Sequence, residues 1–174
     1  MKRLELTLDL TSIAEKWSDT LAASTRLKAW CQEKYGKDPT IFYAANGRKL
    51  PDKKYCPVVI VLPGLKHEGI SEDPLKYIIS VSWCVENNKA TVDGVSAAWN
   101  EKLTGSYIKF DGARETDEFG QLIYEIIQEV AKDIFPVSSV DFSIETQEFF
   151  PQWPGFMILS TDIEPTFGEI IKYE

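Results

Sequence analysis

Leu4, Leu6, Leu8 and Leu10 recur at every second position, a spacing that predicts a short strand with one buried face. Ser12 followed by Glu15 has the form of a capping box. Beyond it, Ile13, Trp17, Leu21, Ser24, Lys28 and Cys31 trace a helical stripe that is only partly apolar. One long helix is expected over Ser12 to Tyr35, stopped by Gly36, which suits a left-handed cap, and by Pro39. Thr40 to Ala44 is a short extended piece before the turn at Asn46-Gly47, and Pro51 to Lys54 continues a polar loop. Cys56 to Leu62 is a continuous apolar run ended by Pro63-Gly64 and reads as a buried strand.

From Tyr77, the residues Ile79, Val81, Trp83 and Val85 alternate with Ile78, Ser80, Ser82 and Cys84, giving a strand with one strongly apolar and one mixed face. It should pair with the preceding strand across the Pro63 to Pro74 loop. Residues 87–112, punctuated by Asn87-Asn88, Asp93-Gly94, Gly105 and Asp111-Gly112, read as an insertion with its own short helix or hairpin. A second helix starts at Thr116 or Asp117, with Phe119, Leu122, Ile123, Ile126, Ile127, Val130, Ala131 and Ile134 as a wide apolar face and Pro136 as its exit. Val140, Phe142 and Ile144 alternate with Ser139, Asp141, Ser143 and Glu145, and together with the Phe156 to Ile163 run they form a closing hairpin. The expected fold is α+β: a single domain over residues 1–174, with a mixed or antiparallel sheet of about four to six strands against two main helices.

Composition agrees with one packed core, since 44% of the 174 residues are hydrophobic and 12% aromatic. A net charge of −8 disfavours indiscriminate binding to DNA or anionic lipid, and neither a membrane nor a specific nucleic acid is an expected partner. The charge is lopsided: residues 1–114 hold 17 basic and 14 acidic side chains, residues 115–174 hold 2 and 13. The densest basic stretch runs through Arg26, Lys28, Lys34, Lys37, Arg48, Lys49, Lys53 and Lys54. It reads either as a solvated helix face and loop or as a surface for an acidic protein or phosphate backbone. Opposite poles also suit copies packed head to tail.

The first ten residues mix charge with leucine and lack a signal-peptide core, and no apolar run is long enough to cross a bilayer, so a cytoplasmic chain is expected. Cys31, Cys56 and Cys84 are odd in number and widely spaced, and are expected to be reduced, mostly buried thiols that hold no metal.

Motifs for catalysis are sparse. His67 is the only histidine, and no GxSxG elbow, P-loop or GxGxxG is present; no catalytic residue and no cofactor is assigned. Glu115, Asp117 and Glu118 are explained by a helix start, which favours acidic side chains. The most unusual segment runs from Glu148 to Phe156, where Phe149, Phe150 and Trp153 crowd a loop stiffened by Pro151 and Pro154. Such rings either present rigid apolar area to a partner or fold back onto the core. These three residues, with Lys66, His67 and Glu68 of the Pro63 to Pro74 loop, are the candidate partner-binding set.

The order of elements resembles the tail-terminator and tail-completion proteins (minor tail, head-tail joining) of long-tailed bacteriophages. The features that carry the likeness are the long helix from Ser12, the Pro57-Val58-Val59-Ile60-Val61 strand, the Tyr77 to Glu86 strand, the helix near Asp117-Glu118-Phe119, and the hairpin through Pro154-Gly155-Phe156. The resemblance covers most of the chain, though residues 87–112 and the Leu4 to Leu10 strand depart from it. It implies a non-enzymatic subunit that forms a homo-oligomeric ring, of six copies, at the head-proximal end of the tail. Such a ring stops tail-tube growth and meets tail-tube and head-connector proteins, first in the bacterial cytoplasm and then in the virion neck. The other classes open to this sequence are a bacterial protein-binding or regulatory module, whose acidic C-terminal part meets a basic partner, and a small hydrolase using His67.

Overall fold

The computed structural model describes residues 8–44, 52–67, 75–98, 103–132, 134–144 and 150–163. Its first helix, α1 (Leu10–Ala23), buries Leu10, Ile13, Ala14, Trp17 and Leu21, which recur every three or four residues. Leu10 therefore opens a helix instead of ending a strand, because it shares the helical phase of Ile13, Ala14 and Trp17; Leu4 and Leu6 lie outside the described residues. The cap differs too. Asp9, not Ser12, caps α1, accepting from the Ser12 N–H (3.1 Å) and hydroxyl (2.7 Å), bonds that hold its carboxyl below the usual range.

The long helix expected over Ser12 to Tyr35 is two helices. Ser24 takes an extended conformation (φ −65°, ψ 115°), and its hydroxyl accepts from the Leu27 N–H to start α2 (Thr25–Tyr35). The break resets the helical phase, so Leu27 and Cys31 turn inward while Lys28 stays half-exposed. Gly36 closes α2 at φ 68°, the left-handed cap expected of it.

Five strands make the main sheet, in the order β1 (Thr40–Tyr43), β2 (Val58–His67), β3 (Leu75–Glu86), β8 (Gln152–Ile163) and β7 (Ser139–Ile144). β1 is parallel to β2 and every other pair is antiparallel, so the fold is α+β with a mixed sheet. β2 runs past the expected end at Leu62, because a register shift between Pro63 and Lys66 absorbs the Pro63-Gly64 pair. β8 likewise starts at Gln152, ahead of the expected Phe156. Pairing with β7 stops at Gly155, so Pro154 lies where β8 has β3 as its neighbour.

Residues 87–112 hold a second sheet of three strands, in the order β5 (Val95–Ala98), β4 (Lys89–Val92) and β6 (Ile108–Phe110). The β4–β5 hairpin turns on Asp93-Gly94, both at positive φ (47° and 87°), the pairing a two-residue turn requires. The Asp93 carboxylate also accepts from the Ser106 and Tyr107 N–H groups (3.1 and 2.8 Å), which fastens the returning chain to the turn.

α3 (Asp111–Ala131) follows β6 directly, five residues ahead of the expected Thr116 start. Asp111-Gly112 reads as a turn in sequence. In space Gly112 is a helical residue against which the Trp153 indole lies so closely that a Cβ would overlap it. Ile134 falls beyond the helix and is exposed, and the adjacent Phe135 is buried edge-on to Trp17, 5.4 Å between ring centroids.

The buried apolar residues of all three helices join Val59, Val61, Tyr77, Ile79, Val81, Trp83, Val85, Met157 and Leu159 in one cluster on a single face of the main sheet. The opposite face has a small cluster of its own, Cys56, Val58 and Ile60 with Phe42, Leu62 and Cys84 against it.

Candidate functional site

Two places gather chemistry-bearing side chains. The first is a polar junction where α2, α3, β8 and the smaller sheet meet. Tyr35, the last residue of α2, donates its hydroxyl to Glu115 Oε2 at 2.6 Å, and Asn87 Nδ2 donates to the same oxygen at 2.8 Å. Trp153 Nε1 donates to the Asn87 carbonyl (2.8 Å), and the Asn87 side-chain oxygen accepts from the Lys89 N–H (2.7 Å). Next to it, Trp83 Nε1 reaches the Thr116 carbonyl (2.8 Å) and hydroxyl (3.1 Å), and that hydroxyl donates to the Trp153 carbonyl (2.8 Å).

Every polar group in this chain of bonds has a partner, the condition under which a buried network rigidifies a fold instead of costing it. Its acidic member is committed to two neutral donors, so the junction works as a clamp that holds the smaller sheet to the body. Glu115 and Glu118 are thus not capping residues: the helix begins a turn earlier, and Glu118 pairs with Lys34 at 3.3 Å.

Burial beside this clamp has a consequence in alkali. Cys31, fully buried under α2, has its thiol pushed from its ordinary 9.0 up to about 12 by desolvation, with the Asp38 charge adding to it. The Tyr35 hydroxyl is pushed up by burial and by its bond to Glu115. A folded state that holds protons more tightly than the unfolded chain keeps its full stability below the unfolded pKa and loses it as pH rises. The melting temperature is therefore expected to be steady up to about pH 8.5, where a free thiol titrates, and to fall from there toward pH 12. Thermal unfolding between pH 7 and 11 measures this, and Cys31→Ala should flatten part of the slope. A curve unchanged to pH 11 would contradict the burial of both groups.

The second place is the sheet face away from the helices. Strand alternation and register put Phe42, Val58, Ile60, Leu62, Ile78, Phe156 and Ile158 on it, interleaved with Ser80, Ser82, Ser139, Asp141, Ser143 and Ser160, and with Lys76, Glu86 and Asp162 toward its ends. One turn of 3-10 helix, Lys53–Tyr55, lies at the β1–β2 end, with Tyr55 edge-on to Phe42 at 5.6 Å. There Val58 and Ile60 are buried, whereas Ile78, Phe156 and Ile158 toward β8 are half-buried. Apart from this face, Val95 in β5 and Tyr107 just before β6 are well-exposed apolar side chains, at 69% and 63%.

Of the candidate partner-binding residues, the structure describes Trp153, Phe150, Lys66 and the His67 backbone. Trp153 is 4% exposed, a core residue, and of the two readings open for it the structure shows the inward one. Phe150 is half-buried, edge-on to Phe110 (5.6 Å) and Trp153 (6.0 Å). Phe149 and Glu68 lie outside the described residues. Lys66 is exposed near the end of β2, and the His67 backbone pairs with Lys76. At about 3.3 Å per residue the β3 backbone separates Lys76, the pairing partner of His67, from Cys84 by roughly 26 Å.

The basic stretch is partly spent within the chain. Arg26 reaches Glu125 (2.6 Å) and Glu129 (2.9 Å) on α3, which with Lys34–Glu118 ties the basic α2 to the acidic α3. These pairs are exposed and each is worth at most about 1 kcal/mol, but they draw the opposite charges of the two helices together. Sequence reading missed Asn87, Tyr35 and the Cys56–Cys84 neighbourhood. The one local signal was Cys84 on the mixed face of its strand.

Among the described residues no group of three or more His, Cys, Asp or Glu side chains is placed to hold a metal, and no helix is long and apolar enough to cross a membrane. No family model matches the chain, and no curated protein matches it.

Proposed function

We propose that this chain is a non-enzymatic assembly subunit of a long-tailed bacteriophage or prophage. In this reading it is a tail-terminator or tail-completion protein whose copies close into a ring at the head-proximal tail end, stop tube growth and join the tail to the head. The observation that carries the reading is the one-sided main sheet. All three helices bury their apolar side chains on one face, and the other carries Ile78, Phe156 and Ile158 half-buried among serines, with Asp141 opposite Ile158. A face of that kind gains most from a flat protein neighbour, which removes its apolar area from water at about 25 cal/mol per Å². The resemblance in element order supplies the identity of the neighbour, a second copy, and the number six.

The deciding measurement is the mass of the purified protein in solution over a concentration series, at low and moderate salt, by native mass spectrometry or light scattering. A discrete closed ring is expected. Ile158→Lys should shift it toward monomer and lower the melting temperature of the monomer only slightly, because the half-buried side chain lies outside the main core and faces Asp141. A strict monomer that binds a basic protein tightly would replace this reading with the protein-binding module. Against that module, the intramolecular pairs with Arg26 and Lys34 already occupy Glu118, Glu125 and Glu129.

A further inference from the structure

Cys56 and Cys84 meet on the sheet face away from the helices. Cys84 lies opposite Val58 in the antiparallel β2–β3 register, and Cys56 is two residues before Val58 on the same side. Both belong to the small cluster with Val58, Ile60, Phe42 and Leu62, apart from Cys31 in the main core. The Cys84 S–H is directed to the Val85 carbonyl at 3.6 Å, and its sulfur packs against the cluster that holds Cys56. Lys37 is held beside Cys56 by its ammonium bond to the Lys54 carbonyl, 3.2 Å.

We propose that Cys56 and Cys84 are a reactive dithiol that a small peroxide converts to an intramolecular disulfide, with Cys56 as the attacking sulfur. The Cys56 thiolate attacks one peroxide oxygen, the O–O bond breaks, and Cys56 becomes a sulfenic acid as hydroxide leaves and takes up a proton. The Cys84 sulfur then attacks the Cys56 sulfur, forming the S–S bond and expelling the sulfenic oxygen as water with the Cys84 proton. Overall two thiols and one hydrogen peroxide give one disulfide and two waters.

The surroundings favour this direction. The neighbouring Cys84 thiol favours a thiolate on Cys56 and holds its pKa below the ordinary thiol value against burial and the Glu86 charge, with a smaller favourable contribution from Lys37, while the Cys56 thiol first and burial second hold Cys84 above it. Cys84 is half-buried, so the pair opens to the surface on its side, and Cys56 is 5% exposed, within reach of a molecule as small as peroxide. Cys56 also precedes the β2 ladder, its N–H bonded to the Lys53 carbonyl at 3.0 Å, so closing the disulfide breaks no strand pairing on its side.

The test treats the reduced full-length protein with hydrogen peroxide under native conditions, caps the remaining thiols with iodoacetamide in denaturant, and maps peptides by mass spectrometry. The expected result is a loss of two hydrogens, a single capped cysteine (Cys31), a linked Cys56–Cys84 peptide, and full reversal by dithiothreitol. The melting temperature should rise by about 5 °C or more on oxidation, because the bond closes a long loop in the unfolded chain. Cys84→Ser should leave a trappable sulfenic acid on Cys56, detected with dimedone, and Cys56→Ser should leave Cys84 reduced. A linked peptide containing Cys31, a disulfide between two chains, or oxidation confined to Cys84 would each overturn the proposal.

Discussion

Gly120→Ala is expected to destabilise the protein by about 2 kcal/mol, although alanine in a helix interior is ordinarily favoured over glycine by about 1 kcal/mol. The sign is reversed by Trp83. Its indole lies against Gly120 on α3 and Gly155 on β8, and a Cβ at either position would overlap the ring. Nor can the ring retreat, because Nε1 is held by the Thr116 carbonyl and hydroxyl and Phe142 closes the remaining side at 5.1 Å. Trp83→Phe shortens the side chain away from Gly120 and should cost about 2–3 kcal/mol by itself, through the void and the lost Nε1 bonds. In that background Gly120→Ala should cost much less, the remaining obstacle being the tip of the half-exposed Phe142 ring, 2.8 Å from the added Cβ and able to shift; the coupling, about 1–2 kcal/mol, is readable from urea unfolding of the four proteins. If alanine stays equally costly beside phenylalanine, the indole is not the constraint.

Trp153→Ala is expected to be at least as damaging, about 4 kcal/mol, and to unfold the subunit before it affects any assembly. The ring is buried, packs on Gly112 at the start of α3, and donates to the Asn87 carbonyl that anchors the smaller sheet. Trp153→Phe keeps part of the packing and leaves that carbonyl without its donor, for about 1–3 kcal/mol. Phe150→Ala, at a half-buried ring, should cost less than either. Denaturant unfolding of the three variants measures this order. A Trp153→Ala protein that melts like the wild type but no longer assembles would return the ring to the docking role its sequence suggested.

The aromatic loop shows how far local reading carries. Two prolines and three rings marked the segment as special, and the structure gives Trp153 a special place, but inside. Whether a ring near a hairpin end points outward depends on what lies opposite it. Here the opposite residue is Gly112, about forty positions away along the chain, which reads locally as half of a turn. The same holds for the thiols. Cys84 was visible as a member of a mixed strand face, whereas its nearness to Cys56 follows from the β2–β3 register, set across a connection whose geometry no spacing records.

What the sequence by itself determined was the set of elements whose periodicity is local: the apolar alternation of β3 and β7, the amphipathic face of α3, the Gly36 cap, and an α+β layer arrangement. Those patterns are decided within a turn or two of chain, where side-chain spacing and burial are directly linked. The tertiary structure alone decided the break at Ser24, the early start of α3, the extension of β8 through Pro154-Gly155, and the pairing of Arg26 and Lys34 with the acidic face of α3. The Ser24 break is held by a local cap on the Leu27 N–H, and the others turn on contacts between distant residues, such as an indole needing a glycine beneath it or a guanidinium meeting two carboxylates. Such contacts override local propensity because a buried ring is worth several kcal/mol and the local preference it displaces about one.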